Sequence, residues 1–238
     1  SVLRWLDAAG LGRLAVPLVA AEGLRMLLDH VPGADLFGAE LGTRLGILAD
    51  MHQIQRASAS QVDQLLALGV PDLRAAPLHA EIDRVVAGYG GADPRLADLV
   101  AGLPRRLAAV AACGVPETLV HGDLHPGNVR GDHSLRRIID WGDSFIGHPG
   151  FDILRLSEQL DPPEAAQLLD LWSRLWQQAV PGSDPDRAVE LLRPVAALRN
   201  AVTYARFLAN IEPSEHPYHR ADVPDWLGRA AEFAAAAL

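Results

Sequence analysis

Between Thr118 and Asp140 the three- and four-residue spacing of apolar side chains that organises most of this chain stops. In its place stand two short strand-like runs, Thr118-Leu119-Val120 and Arg137-Ile138-Ile139, around a loop rich in Gly, Pro, Asn and His. Pro126 and Gly127 rule out a continuous helix through that loop. The flanking regions read as helices. From Asp35 to about Ala112, Leu41, Leu45, Leu48 and Met51 lie on one face, with Ile54 and Ala57 following, and Pro71, Pro77 and Pro94 divide the region into separate helices. After Pro149 the pattern resumes through Leu154, Leu168, Leu171, Leu175, Leu191, Leu198 and Phe207 to an alanine-rich end. The expected fold is α+β and mainly α, with helices around a small β-loop centre.

The first thirty residues read as helix, strand, strand. Val2, Leu3, Trp5 and Leu6 give a short apolar face that Gly10 ends. Leu14 to Val19 and Leu24 to Leu28 flank Ala20, Ala21, Glu22 and Gly23, a hairpin with glycine in the turn. Val31-Pro32-Gly33 then breaks the chain. With 238 residues, 49% of them apolar, the chain can bury a sizeable core. A net charge of −9 argues against a nucleic-acid binder, which needs a basic face. The longest apolar stretch, Leu107 to Val115, is about half the roughly 20 residues of a membrane span. No signal peptide is visible, and the single Cys113 makes no internal disulfide, so a cytoplasmic location is expected. All 21 basic residues are arginine, which excludes any mechanism needing a lysine of this chain. No internal repeat or long linker is found.

The chemistry concentrates in His121-Gly122-Asp123-Leu124-His125-Pro126-Gly127-Asn128 and in Ile138-Ile139-Asp140-Trp141-Gly142. Asp123, Asn128 and Asp140 are oxygen donors that suit Mg²⁺ rather than zinc, and Gly122 and Gly127 allow close backbone approach. His121 and His125 are not a helical ligand pair, because the loop between them cannot be helix. The spacing matches a phosphoryl-transfer template, H-x-D-x-x-x-x-N followed by D-x-G. In it the first Asp accepts a hydroxyl proton, and the Asn and second Asp hold metal.

On these residues the sequence resembles the aminoglycoside phosphotransferase family, small-molecule kinases with a protein-kinase-like fold. The likeness rests on "LVHGDLHPGNV", "RIIDWGDSFIGHPGFDI" and the earlier "LRMLLDHVPG", and covers the chain from about Leu14 to its end. It implies a protein-kinase-like large lobe with Asp123 as catalytic base. Asn128 and Asp140 would be magnesium ligands, and Asp152 would brace the catalytic loop. The carbonyl of Asp29 and the N–H of Val31 would hold the nucleobase of ATP or GTP. The implied reaction moves the γ-phosphoryl group to a hydroxyl of a small molecule, such as an aminoglycoside, which would confer antibiotic resistance.

The chain also departs from that pattern. The family's small lobe carries a nucleotide-covering loop and a phosphate-pairing lysine, and neither is found here. Only about 33 residues precede the large lobe. Residues 1–33 are therefore expected to be a remnant of the small lobe with the hinge, and 34–238 the mainly helical catalytic and acceptor-binding lobe. Such a chain would be incomplete for activity and poorly soluble. Arg130 stands where an apolar floor for the nucleobase is expected.

Other readings of the same residues stay open: a non-catalytic pseudokinase-like module, or a metal-dependent hydrolase built on His121, Asp123, His125 and Asp140. Asp123 and Asn128 could simply satisfy their own loop. His121 reads better as an orienting histidine than as a base. His125 faces either phosphate or solvent, and Asp143 either assists the metal or caps a turn. His52 reads as a satisfied core histidine, His216 and His219 as an exposed loop, and Trp172 and Trp176 as helix packing. Residues 141–238 carry 14 acidic side chains against 8 arginines, which favours a cationic, hydroxyl-bearing acceptor such as an amino-sugar.

Overall fold

The computed structural model describes residues 2–236 except Leu24, Gly90, Ala92, His133 and Ser134. They form two compact units, Ser1–Asp72 with Val115–Ser183, and Leu73–Gly114 with Asp184–Leu238.

The first unit opens with helix α1 (Val2–Ala8), whose apolar face, Val2, Leu3, Trp5 and Leu6, is buried. Gly10, at φ +74°, ends it in the left-handed region that glycine tolerates. Strands β1 (Leu18–Glu22) and β2 (Arg25–Leu28) form the expected hairpin, with a shifted boundary. Ala20, Ala21 and Glu22 belong to the strand rather than the turn, and pair with Leu27, Met26 and Arg25. Leu14 instead closes a 3-10 turn, because Pro17 has no N–H to give to a ladder and β1 starts only after it. Leu24, where the second run was expected to begin, lies outside the described residues. Val19, Met26 and Leu27 are largely exposed.

A two-residue strand, β3 (Ala34–Asp35), stands where the sequence reads as the start of a helical region. It pairs with β5 (Val129–Gly131), which in turn pairs with β6 (Arg136–Ile138). This β5–β6 hairpin is the strand-turn-strand between Asn128 and Asp140. Strand β4 (Thr118–Val120) pairs instead with β7 (Phe145–Gly147), a strand the sequence reading missed. Both β4 and β7 are buried throughout, so neither shows the alternation that marks a half-exposed strand.

Helix α2 (Leu41–Ala59) packs beneath these strands, followed by α3 (Val62–Ala67). Its buried positions include Ile47, Leu48, Met51 and Ile54, but also Arg44, His52, Gln55 and Ser58. Ser58 Oγ accepts the N–H of Leu119 at 2.9 Å, which fastens β4 to the helix. Helices α4 (Ala75–Tyr89), α5 (Pro94–Ala101) and α6 (Leu103–Ala112) belong to the second unit, and α7 (Gly150–Leu156) and α8 (Pro162–Ala179) to the first. In the second unit α9 (Pro185–Asn210) packs against α4, α6 and α11 (Asp222–Ala236). Between them lies α10 (His216–His219), a short helix where a loop was expected. His219 is held there by Asp222 at 2.8 Å and by the ring of Phe207.

Three helices start with the same device. Asp93-Pro94, Asp161-Pro162 and Asp184-Pro185 each place an aspartate at the N-cap, accepting the N–H of Arg95, Glu164 and Arg187 respectively. Proline occupies the next position, where a missing N–H costs nothing.

Trp172 and Trp176 are helix packing, each 1% exposed. Together with His52 and His148 they form a buried ring cluster in the first unit, His52 edge-on to Trp176 at 4.8 Å between centroids. The core position expected of His52 holds, but its satisfaction does not. His52 Nδ1, His148 Nε2 and both indole N–H groups find no hydrogen-bond partner among the described residues. Burial, with Arg56 nearby, lowers His52 from 6.5 to about 4, and burial lowers His148 to about 3. Both histidines are therefore neutral when folded. Below pH 6.5 the unfolded chain takes up protons that the folded chain refuses, so this stability is complete above about 6.5 and drains away as pH falls. At pH 5 each histidine should cost about 2 kcal/mol. Urea midpoints should therefore drop between pH 7 and pH 5, and drop less in His52→Phe; an equal drop in that variant would refute the assignment.

Candidate active site

The loop after β4 is fastened from beneath by one buried carboxylate. Asp152, on α7 and 2% exposed, accepts the N–H of His121 at 3.0 Å, the N–H of Gly122 at 3.0 Å and Nε2 of Gln55 at 2.9 Å. Burial pushes its carboxyl up, and the three donors oppose that by stabilising the charged form. Gly122 sits at φ +91°, a conformation that lets successive N–H groups face the same carboxylate. His121 is fully buried; its Nδ1 accepts the N–H of Asp123 at 3.3 Å, so the proton sits on Nε2, 2.8 Å from the carbonyl of Ile139. Both ring nitrogens are used. His121 orients the loop, and it has no lone pair left for a metal.

Asp123 stands at the loop's open side, and three side chains converge on its carboxylate. Arg155 Nε donates to Oδ1 at 2.7 Å. Asn128 Nδ2 donates to the main-chain oxygen of Asp123 at 2.9 Å and to Oδ2 at 3.2 Å. His125 Nε2 lies 3.4 Å from Oδ2. The N–H of Gly127 donates to His125 Nδ1 at 3.0 Å, which leaves the proton on the nitrogen facing Asp123. His125 thus packs against Asp123 while part of its ring stays exposed. A Cβ at Gly127 would come within 2.7 Å of that ring, so the close approach expected of this glycine is present. Partial burial raises the Asp123 carboxyl, but the hydrogen bonds from His125 and Arg155 outweigh it and hold the group well below the ordinary carboxylate range.

Arg155 did not figure in the sequence reading. Its signal was the spacing Asp152-x-x-Arg155, which puts both side chains on one face of α7. Glu158 Oε2 accepts from Arg155 Nη1 at 2.5 Å.

The β5–β6 register brings the remaining pair together. Asn128 precedes β5, Asp140 follows β6, and the N–H of Ile139 donates to the carbonyl of Asn128 at 2.9 Å. With Nδ2 of Asn128 directed at Asp123, its Oδ1 is the atom available to a cation. Asp140 is exposed, in a left-handed conformation (φ 58°, ψ 61°), and its side chain makes no hydrogen bond among the described residues. One amide oxygen and one exposed carboxylate fit a hard ion such as Mg²⁺, which keeps most of its own water. No group of three or more His, Cys, Asp or Glu side chains suited to a metal occurs among the described residues. Asp143 stands exposed at the end of the 3-10 turn Trp141–Asp143.

The segment expected to be the hinge lies beside the same hairpin. Asp29 is exposed and Val31 is buried; among the described residues neither the carbonyl of Asp29 nor the N–H of Val31 has a hydrogen-bond partner. Arg130 on β5 donates through Nε to the carbonyl of Val31 at 3.3 Å and through Nη2 to that of Gly33 at 2.6 Å. The arginine that departs from the expected apolar floor therefore ties residues 31–33 to the β5–β6 hairpin.

The phosphotransferase enzyme family model (APH) matches residues 1–191. The chain belongs to this family. Its fold agrees. A choline kinase, LicA from Streptococcus pneumoniae, superposes with a TM-score of 0.67 at 17% identity over 99% of this chain and 78% of that one. The Plasmodium vivax ethanolamine kinase Pv091845 gives 0.64 at 10% identity, over 98% and 71%. The GDP complex of aminoglycoside 2'-phosphotransferase-IIIa gives 0.62 at 16% identity, over 100% and 81%. No curated protein sequence matches. The phosphotransferase chain thus has the protein-kinase-like, mainly helical fold expected of it, and family and fold together support a small-molecule phosphotransferase. No helix among the described residues is long and apolar enough to cross a membrane.

Proposed function

We propose that this phosphotransferase moves the γ-phosphoryl group of ATP or GTP to a hydroxyl of a small cationic molecule, an amino-sugar being the acceptor class its charge favours. The observation that carries this reading is the constellation of Asp123, Asn128 and Asp140 on one loop and one hairpin end. As the acceptor oxygen bonds to the γ-phosphorus, the bond to the leaving diphosphate breaks and the hydroxyl proton departs toward Asp123. Asp123 accepts the hydroxyl's hydrogen bond and aims its oxygen. Asn128 Oδ1 and Asp140 would hold Mg²⁺, which supplies charge neutralisation at the phosphates when bound. The unpaired carbonyl of Asp29 and N–H of Val31 suit the edge of a nucleobase. On this reading residues 1–33 supply the small-lobe portion and hinge, residues 34–238 the large lobe, and the reducing cytoplasm suits the buried free Cys113.

A hydrolase built on His121 is disfavoured, because both of its ring nitrogens are spent within the protein. A non-catalytic binding module would bind nucleotide without transferring phosphate.

Calorimetry with Mg·ATP and Mg·GTP tests the metal assignment. Loss of an outer-shell partner alone typically costs 10–100-fold in metal affinity, so Asp140→Ala should weaken Mg²⁺-dependent nucleotide binding by about 100-fold. Unchanged affinity in that variant would remove Asp140 from the site. The acceptor class is tested by binding a panel of hydroxylated amines at rising salt, which should weaken a cationic acceptor.

A further inference from the structure

We infer that Arg155 is a positioning residue for phosphoryl transfer: it latches the catalytic carboxylate through Oδ1 and fixes the direction from which Asp123 meets the acceptor hydroxyl. The inference rests on the reading of Asp123 as the residue that receives that hydroxyl.

The geometry supports a latch rather than a surface ion pair. A carboxylate offers about four lone-pair directions. Among the described residues, Asn128 and His125 approach Oδ2, and Arg155 alone approaches Oδ1. One direction, on Oδ1, is left for an incoming hydroxyl. Of the three contacts that oppose rotation of the Asp123 carboxylate about its Cβ–Cγ bond, the one to the Arg155 guanidinium is the shortest, at 2.7 Å, and the charge-assisted one.

Arg155 is itself held. Glu158 takes its Nη1, and the segment carrying Glu158 is pinned by buried Arg44, whose Nη1 donates to the carbonyls of Leu156 at 2.6 Å and Glu158 at 3.0 Å. Arg44 Nε reaches back to the carbonyl of Ala39 at 3.1 Å. Helix α7 therefore grips the catalytic loop twice from one face. Asp152 holds its backbone, and Arg155, three residues on, holds its reacting side chain. Arg44, Arg155 and Glu158 line a shallow groove together with Phe37, His125, Pro126 and Gln159. Arg155 thus joins this groove to the carboxylate of Asp123, whose side chain is itself part-exposed.

A latch predicts a specific kinetic pattern. Fixing orientation lowers the barrier without adding ground-state affinity, so its loss should appear in kcat rather than KM. The kinetic arm measures ADP formation from Mg·ATP, with water, choline, ethanolamine and spectinomycin as acceptors, and the midpoint cycle below decides the inference alone if the 238-residue chain gives no readable turnover. Arg155→Met should lower kcat by about 10- to 100-fold and leave KM for Mg·ATP within about twofold. Arg155→Lys, which restores a donor at lower geometric precision, should recover part of the loss. A double-mutant cycle of Arg155→Met with Asp123→Asn, read as urea midpoints, needs no turnover. The double variant should lose less than the two single losses added together.

Additive midpoints, or wild-type kcat in Arg155→Met, would overturn the latch. So would a loss carried by KM alone. Undiminished turnover in Asp123→Asn would instead overturn the reading of Asp123, and a coupled cycle beside it would leave Arg155 a purely structural partner, also against the inference.

Discussion

Asp123→Asn should keep its fold and its Mg·nucleotide affinity while losing turnover by about 10²- to 10⁴-fold, the range that a positioned proton acceptor contributes. The substitution preserves size and leaves one oxygen, which can take the place of either Oδ1, facing Arg155, or Oδ2, facing Asn128 and His125. What it removes is the charge and one acceptor atom. With its nitrogen in the Oδ1 place the amide turns N–H groups on Arg155 and the hydroxyl, and in the Oδ2 place on Asn128 and His125, so either arrangement sets donors against donors and leaves no charge to take the proton. Steady-state ADP release and calorimetry on the same preparation check both halves. Full turnover would show that phosphoryl transfer here needs no carboxylate at this position.

The second large effect concerns stability. Asp152→Ala should destabilise the first unit by about 3–5 kcal/mol, because it strands three donors in a place that water does not reach. The N–H groups of His121 and Gly122 and the amide of Gln55 all lose their acceptor at once. Most proteins are stable by only about 5–15 kcal/mol, so the loss should be visible as a much lower urea midpoint or as insoluble expression. Asp152→Asn should fall between, since its amide accepts one N–H and opposes the other. A midpoint equal to the wild-type value in Asp152→Ala would mean that the catalytic loop is held by something other than this carboxylate.

Much of the site was legible before any coordinates. Asp123, Asn128 and Asp140 are spaced by a loop and a hairpin that local signals specify. Pro126 and Gly127 interrupt any continuous α-helix, leaving only the 3-10 turn Pro126–Asn128, and the run ending at Ile139 reads as strand. The helix starts were equally local, because Asp-Pro places a cap and a free first position within two residues. The edges of elements were less legible. β1 begins after Pro17 rather than at Leu14, and β7 was overlooked because a fully buried three-residue strand carries no periodicity.

What surrounds the reacting groups was decided by tertiary structure. Arg155 lies 32 residues beyond Asp123, and the helix face it shares with Asp152 does not by itself say which carboxylate it meets. Arg44 reaches Leu156 over a separation of 112 residues, and Arg130 reaches Gly33 over 97. The orphaned nitrogens of His52, His148, Trp172 and Trp176 are likewise a product of packing. The amino-acid sequence by itself determined the oxygen-bearing side chains of the candidate site and the loop that displays them. Only the tertiary structure decided which charges meet them, because a long side chain's partner depends on where distant segments lie, and local chemistry does not encode that distance.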